Sequence, residues 1–435
     1  MKKLFLTLIA AVALCSVSVA QKANVQSILA GVEKCKADTK DAKKGAKGST
    51  WIALGNRLNE VATANSSSIF PGMAESEILL VVGKPGKDGE FEMVTINGIE
   101  YKKFVYPNIE IYLQSDKIAF WNELKTPYPS ALEEATAAYR KAMEIDPKSK
   151  EKAVEGLKLT QNNYMSEANN KYTLNKFKDA SKLFLAGANI AADPLVAHAD
   201  ANLYKYYGAV AAIQGDDFAT SEVIFDELVK ASYFQDGDAF YYLGFAKEKL
   251  DKKAEAEKAY LAGVNQYPAN QKVMNQLINY YITSGDDPAK VIPFIKKAQD
   301  ADPKNHLMVF VEGIAYQNMK DFDKAHAAYD KTKTMDPKFF DAYYNDGLAY
   351  LSQADATIVE LNKIDATNRK AYDEAFEKAV SNLKKSAEVF EKAHEIQKTN
   401  KDVVELLKNV YFRLRDTDPK FLEKYNQYND VLKGM

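Results

Sequence analysis

A repeat with a period of 34 to 35 residues limits the folds open to this 435-residue chain. Pro303 follows Pro268 by 35 residues, and Pro337 follows Pro303 by 34. A fixed period of this length is typical of stacked helix hairpins, because one hairpin cannot bury its own apolar stripe and needs neighbours on both sides. A generic helical bundle has no need of such a period, so the sequence favours a row of hairpins.

Residues at fixed offsets within the period resemble the tetratricopeptide repeat (TPR). Small residues in this pattern let two helix backbones approach, and large ones fill the gap between successive hairpins. The resemblance implies a mainly α fold, a TPR α-solenoid in which helix hairpins form a right-handed superhelix. In the clearest copy the matching residues are Phe240, Leu243, Gly244, Ala256, Tyr260, Gly263 and Pro268.

The first repeat is interrupted by a segment of different character. Trp51 and Gly55 begin a TPR first helix, whereas the second helix, with Tyr139, comes only after residue 128. We therefore expect an inserted small α+β domain. The predicted organisation is a signal peptide (1–20), N-terminal helices and the first helix of the split TPR (21–65), the inserted module (66–128), a TPR array (129–339), a TPR with an elongated hairpin (340–400) and C-terminal capping helices (401–435).

The inserted module is predicted to be a short helix followed by a four-strand antiparallel meander. The helix is expected from Ala74 to Val82, after Pro71-Gly72 and before Gly83. Apolar and polar residues then alternate, as in strands with one buried face. Turn residues break this alternation at three places, Asn97-Gly98, Pro107-Asn108 and Ser115-Asp116.

The same segment resembles small outer-membrane-assembly lipoproteins of the SmpA/OmlA type. The likeness lies in Gly72-Met73 before the helix, Gly83-x-Pro85 after it, and the final strand that ends near Trp121. That family contacts partner proteins and lipid at the outer membrane, so the resemblance implies interactions in the cell envelope. The alternative is that the meander has only a structural role and supports the first repeats.

A second irregularity begins at Phe340. The second-helix residues Phe390 and Ala393 arrive some 27 residues later than the repeat requires. We expect a hairpin with both helices lengthened by about 13 residues, or roughly 20 Å. Such a hairpin either protrudes or packs back over neighbouring repeats, since several of its apolar residues need burial, namely Ile358, Leu361, Ile364, Tyr372, Phe376 and Val380.

The N-terminus predicts export. Lys2 and Lys3 precede an apolar run, and Ser18-Val19-Ala20 forms a small-residue cleavage site, so we expect a periplasmic or secreted protein cleaved after Ala20. Lipoprotein cleavage before Cys15 is less favoured, because Leu14 is not small. No later stretch is apolar enough for a transmembrane span. The whole chain resembles exported TPR proteins of the Bacteroidota.

Composition and motifs argue against several classes of chemistry. Lysine and arginine number 58 against 60 acidic residues, with no basic stripe, so we expect no nucleic acid partner. The four histidines show no metal-ligand spacing, and no phosphate-binding loop or nucleophile motif is present. Acidic residues among lysines at helical spacing are interpreted as a solvated face. We predict no catalytic residue, no metal and no cofactor.

The TPR resemblance also implies a binding groove lined by certain positions of each first helix. Amides in such a groove can pair with the backbone of an extended peptide, and aromatic rings can hold its side chains. The alternative is that the rings pack against the next repeat and the amides are only hydrated. The candidate residues are Asn56, Asn59, Asn169, Tyr172, Lys205, Tyr241, Phe245, Glu248, Asn275, Asn279, Phe310, Gln317, Asn318 and Tyr344.

Two functions follow from the sequence. The first is a non-enzymatic envelope scaffold whose groove binds a protein or peptide partner. The second is an envelope-assembly or outer-membrane-associated factor that acts through the inserted module, with the repeats as a spacer. Fold alone does not choose between them.

Overall fold

The computed structural model describes residues 25–86, 90–196, 200–283, 288–365 and 368–435. The predicted signal sequence, Cys15 and His198 lie outside these ranges. The described residues form 18 α-helices and one four-stranded sheet. They fall into two compact units: unit 1 contains the described residues up to Gln235 together with Tyr242–Ala256, and unit 2 contains Asp236–Tyr241 and the described residues from Glu257 to Met435.

Eight helices lie wholly in unit 1, and two more contain residues of both units. The unit 1 helices are α1 (Val25–Lys40), α2 (Gly48–Ala62), α3 (Glu75–Val81), α4 (Ala131–Ile145), α5 (Lys150–Thr173), α6 (Phe177–Ala191), α7 (Ala201–Gln214) and α8 (Phe218–Lys230). The helices with residues of both units are α9 (Asp238–Lys249) and α10 (Lys253–Gln266).

Unit 2 continues with four pairs of consecutive helices. They are α11 (Gln271–Thr283) and α12 (Ile292–Ala301), α13 (His306–Asn318) and α14 (Phe322–Met335), α15 (Phe340–Leu361) and α16 (Arg369–Ile396), and α17 (Lys401–Leu414) and α18 (Pro419–Lys433).

The turns inside the hairpins share a backbone conformation. Asn175, Asp216, Asp251 and Lys320 each follow a first helix and have φ near +59°. This left-handed conformation ends a helix and turns the chain into the next one. Asparagine and aspartate tolerate it better than most residues, which explains three of the four identities.

Small and large residues meet inside the hairpins as the repeat pattern predicts. A methyl group at Gly313 of α13 would lie 2.5 Å from the ring of Tyr329 in α14, and one at Gly347 of α15 would lie 2.6 Å from the ring of Phe390 in α16. In the split repeat, Gly55 of α2 stands in the same relation to Tyr139 of α4. The mainly α fold class, an α-solenoid of helix hairpins with an inserted module, is therefore confirmed.

The inserted module contains helix α3 and four antiparallel strands in the order β1-β2-β3-β4. Two of the turns between strands have residues with positive φ, at Asn97-Gly98 and at Ser115-Asp116. These are the tight hairpin turns that the sequence predicts. The strands are β1 (Glu92–Ile96), β2 (Ile99–Val105), β3 (Ile109–Gln114) and β4 (Lys117–Glu123).

The two faces of this sheet have different neighbours. Ile78 of α3 is fully buried against one face, with Phe104 and Ile111 of the sheet. On the other face Tyr101, Tyr112 and Phe120 form an aromatic cluster that contacts Leu174, at the end of α5. Hydrogen bonds tie the same region to the repeats, from Asn97 Nδ2 to the carbonyl oxygen of Thr173 (3.3 Å) and from Lys176 Nζ to Asn122 Oδ1 (3.1 Å). The module therefore packs against the α5–α6 hairpin and supports it.

The elongated hairpin differs in detail from the prediction. Helix α15 has 22 residues and α16 has 28, against 13 in α13 and 14 in α14. The second helix is thus lengthened about as expected and the first helix less. Leu361 and Val380 are buried, Ile358 and Ile364 are half-buried, and Tyr372 and Phe376 are exposed. The exposed rings were expected to need burial, so this part of the prediction is wrong.

No helix within the described ranges has the length and apolar character needed to cross a membrane.

Candidate functional site

The 14 candidate groove residues all lie on the first helices of hairpins, but they differ in accessibility. Seven belong to unit 1 and seven to unit 2. Four are exposed: Asn56, Asn275, Asn279 and Asn318. Nine are half-buried: Asn169, Tyr172, Lys205, Tyr241, Phe245, Glu248, Phe310, Gln317 and Tyr344. One, Asn59, is buried.

Asn59 does not line an open surface, contrary to the prediction. It is 3% exposed, and its amide donates to the Tyr139 hydroxyl (3.1 Å) and to Thr160 Oγ1 (2.9 Å). Its oxygen accepts a hydrogen bond from Asn163 (3.2 Å). The Tyr139 hydroxyl in turn donates to Asn56 Oδ1 (2.7 Å). This network joins α2, α4 and α5, so Asn59 has a structural role because its polar atoms are already satisfied.

Two aromatic candidates, Phe310 and Tyr344, contact other rings inside unit 2. The Phe310 ring lies 5.1 Å from the Phe339 ring and 5.9 Å from the Tyr329 ring, measured between centroids. Tyr344 stacks on Phe340 at 5.6 Å. Offset and edge-on contacts at these distances stabilise the hairpins themselves. These rings are therefore poor choices for substitutions meant to test binding alone.

The polar candidates in unit 2 remain accessible. Asn275 and Asn279 are exposed on α11, and their four-residue spacing puts them on one face of that helix. Asn318 is exposed at the end of α13. Gln317, beside it, accepts a hydrogen bond from the Tyr329 hydroxyl (2.6 Å), so its side chain is held in place. This leaves three amides that can both donate to and accept from a bound peptide.

A buried charged cluster in unit 2 was not predicted. Asp346 of α15 is 1% exposed and binds Lys333 Nζ and His326 Nδ1 of α14, each at 2.5 Å. The His326 ring stacks on Tyr350 at 3.6 Å, and its other nitrogen lies 3.3 Å from Gln353 Oε1. Burial disfavours the charge on Lys333, but attraction to Asp346 outweighs it, and the pKa of Lys333 is raised. The cluster joins the α13–α14 hairpin to the next one.

The repeat register contains a signal that could have revealed this cluster. Asp346 directly precedes Gly347, and Glu312 directly precedes Gly313, 34 residues earlier. Glu312 is also buried and binds Lys296 of the preceding hairpin at 2.6 Å. In both repeats the acidic residue that precedes the glycine of the first helix therefore lies between two hairpins. The interpretation of these acidic residues as part of a solvated face was wrong for Glu312 and Asp346.

A second group of carboxyls lies where the module meets the repeats. Burial raises the pKa of Glu123, at the end of β4, to about 7, and the carboxylate of Glu167 in α5 adds to this effect. A hydrogen bond from Asn65 and the charge of Lys171 act in the opposite direction. The pKa of Glu167 is raised as well, chiefly by burial. Protonation of Glu123 near neutral pH should therefore stabilise this contact.

Stability should depend on pH through Glu123. Its pKa is 4.5 in a free side chain and about 7 here, so the stabilisation from the proton is complete below pH 4.5 and is lost as pH rises through 7. Relative to Glu123→Gln, we expect the free energy of urea unfolding of the unaltered protein to fall by about 2–3 kcal/mol across this window. In Glu167→Gln the fall should shift to lower pH, and parallel curves for all three proteins would contradict the assignment.

No group of three or more histidine, cysteine, aspartate or glutamate side chains in the described ranges is arranged to hold a metal ion. Cys35 is half-buried among the apolar residues that pack α1 against its neighbours.

Comparisons with known proteins give structural similarity only. No protein-family model matches the chain, and no curated protein matches it in sequence. The C-terminal part of a TPR repeat-containing protein from Cytophaga hutchinsonii is 17% identical, over 59% of this chain and 97% of that one, with a TM-score of 0.38. A TPR repeats protein from Bacteroides fragilis is 16% identical, over 57% and 97%, with a TM-score of 0.30. YrrB, described as a TPR protein with an unusual peptide-binding site, is 18% identical, over 62% and 97%, with a TM-score of 0.28.

Proposed function

We propose that this protein is a scaffold that binds a protein or peptide partner and performs no catalysis. The observation that carries the proposal is the set of exposed amides on successive first helices of unit 2, Asn275, Asn279 and Asn318. Side-chain amides on a fixed helical framework can pair with the backbone of an extended segment without dependence on its sequence. Rigid hairpins reduce the entropy lost on binding, because the helical backbone that carries the amides is already in position.

Replacing Asn275, Asn279 and Asn318 with alanine should weaken partner capture at least about tenfold, since each substitution removes a donor and an acceptor. The immobilised full chain would be incubated with cell-envelope extract, and captured proteins quantified by mass spectrometry. Because the three side chains are exposed, the thermal stability of the variant should match that of the unaltered protein.

The matched control is Asn426→Ala, at an exposed asparagine on the second helix α18. It should leave capture unchanged. Equal capture by the triple variant and the unaltered protein would exclude these amides as the binding surface. If the triple variant and Asn426→Ala lost partner capture equally, the loss would not be specific to the amides of the first helices.

A second candidate function places binding in the inserted module, with the repeats as a spacer. The observation that favours it is a set of exposed apolar side chains, including Leu80 of α3, which is 85% exposed. Deletion of residues 66–128 separates the two candidates. Loss of partner binding with helices α11 to α18 still folded would favour the module, and retained binding would favour the amides of unit 2.

We also propose that the protein is exported, works in the periplasm or outside the cell, and contacts the outer membrane through the module. Support comes from the sequence of residues 1–20. Cell fractionation, with the N-terminus of the mature chain determined by mass spectrometry, would test both the location and cleavage after Ala20.

A further inference from the structure

The sheet of the inserted module has two edges with different surroundings. At β4 the segment before α3 completes the edge, because the amide of Gly72 donates to the carbonyl of Ile118 (2.7 Å) and the amide of Ile118 donates to Met73 (2.9 Å). At the opposite edge, no strand among the described residues pairs with the outer side of β1. An uncovered strand edge can pair with another chain.

The register shows which backbone groups of β1 point outward. The two-residue turn Asn97-Gly98 joins the strands, and Ile96 faces Ile99 across it. In such a hairpin the closing pair exchanges hydrogen bonds, and paired positions then alternate along the strand. Val94 therefore bonds to β2, while the N–H and C=O groups of Met93 and Thr95 point away from the sheet.

Beside this edge the exposed side chains are Phe91, Met93 and Thr95 on one face and Glu92 on the other, where Val94 and Ile96 are half-buried. Phe91 and Met93 are 50% and 58% exposed and lie on the α3 side of the sheet. Lys102 Nζ lies 4.4 Å from the centre of the Phe91 ring and 2.6 Å from Glu75 of α3, which fixes that side. On the opposite face Glu92 binds Lys103 (2.5 Å) and keeps a largely exposed side chain.

We propose that β1 accepts an extended segment of a partner polypeptide as a fifth strand of the sheet. Met93 and Thr95 supply the backbone hydrogen bonds. Apolar side chains of the segment cover Phe91 and Met93, and basic side chains on its other face pair with Glu92. Main-chain bonds supply affinity in this mode and alternate side chains supply specificity. This inference gives a mechanism to the second candidate function and does not depend on the amides of unit 2.

The test uses the full chain and a fluorescein-labelled ten-residue peptide of alternating valine and lysine, with fluorescence anisotropy as the measurement. Met93→Pro removes an outward N–H group and leaves the bonds between β1 and β2 intact, as proline does on a sheet edge. We expect this variant to bind the peptide at least about tenfold more weakly. Thr95→Pro provides a second variant at the other outward position.

Three controls make the result specific. Met93→Ala keeps the backbone donor and should lose less affinity than Met93→Pro. A peptide with the same composition in two blocks, five valines followed by five lysines, should bind more weakly than the alternating one. Amide exchange of β2 and β3 should be the same in Met93→Pro and the unaltered protein, which shows that the module is folded.

Equal binding of the two peptides, or equal affinity in Met93→Pro, Thr95→Pro and the unaltered protein, would overturn the proposal. A concentration-dependent dimer that Met93→Pro abolishes would also overturn it, since the edge would then bind a second copy of the chain. The Asn275, Asn279 and Asn318 substitutions should leave peptide binding at β1 unchanged, so this inference and the amide proposal can fail separately.

Discussion

Replacement of Asp346 with alanine is expected to lower the free energy of unfolding by about 3–5 kcal/mol, the range found when one partner of a buried ion pair is removed. The Asp346 carboxylate accepts from both Lys333 and His326 and is 1% exposed. Without it, the Lys333 ammonium stays buried between two hairpins, with the exposed Asp330 at 2.9 Å as its remaining ion-pair partner and the Tyr343 ring at 5.4 Å. Urea unfolding followed by circular dichroism would measure the change.

Asp330→Ala is the matched control for this prediction. Asp330 binds the same lysine, but its side chain is 70% exposed, and an exposed pair contributes at most about 1 kcal/mol. Amide hydrogen exchange should show that the loss of amide protection in Asp346→Ala is concentrated in α14 and α15. If the free energy of unfolding fell by similar amounts in the two variants, burial would not make the Asp346 ion pair more important for stability than the exposed Asp330 pair.

The hairpin fold could be predicted because its determinants are local and recur. Gly347 and Phe390 are far apart in sequence, yet each occupies a position whose size the repeat fixes, and a methyl group at Gly347 would touch the Phe390 ring. The module was predictable for a similar reason. Asn97-Gly98 and Ser115-Asp116 adopt positive φ, which few other residue pairs do readily, so they set where strands end.

Burial of individual polar residues could not be predicted in the same way, because it depends on elements far along the chain. Asn59 was expected in a groove, but α4 and α5 pack against it, with Tyr139 and Thr160 as partners. The general expectation that acidic residues lie on a solvated face does not hold for Asp346. Its partners lie on α14, and only the match to Glu312 one period earlier indicates that it is internal.

The elongated hairpin shows a different limit on what apolar spacing in the sequence can predict. Apolar spacing identifies one face of α16, and Val380 on that face is buried as expected. Tyr372 and Phe376 continue the same spacing but are 39% and 41% exposed, and their rings lie 6.5 Å apart in a parallel arrangement. Helical periodicity predicts which residues share a face, whereas it does not predict how far a neighbouring helix extends along that face.

The split repeat leads to the second large prediction, which concerns Tyr139. This side chain is fully buried, and its ring fills the space beside Gly55 of α2 and Gly156 of α5. Tyr139→Ala should lower the free energy of unfolding by about 3–5 kcal/mol, as expected when a buried aromatic ring is removed and its space does not fully close. Tyr139→Phe keeps the ring and loses only the hydroxyl bonds to Asn56 and Asn59, so about 1–2 kcal/mol is expected.

A double-substitution cycle tests whether Tyr139 is the reason that position 55 is glycine. A methyl group at Gly55 would lie 2.6 Å from the Tyr139 ring, so Gly55→Ala alone should destabilise the protein by about 1–3 kcal/mol. In the Tyr139→Ala background that contact is absent, and alanine is the better helix former by up to about 1 kcal/mol. Gly55→Ala should then be neutral or stabilising. Additive effects of the two substitutions, measured by urea unfolding, would show that the close approach of α2 and α4 does not depend on this pair.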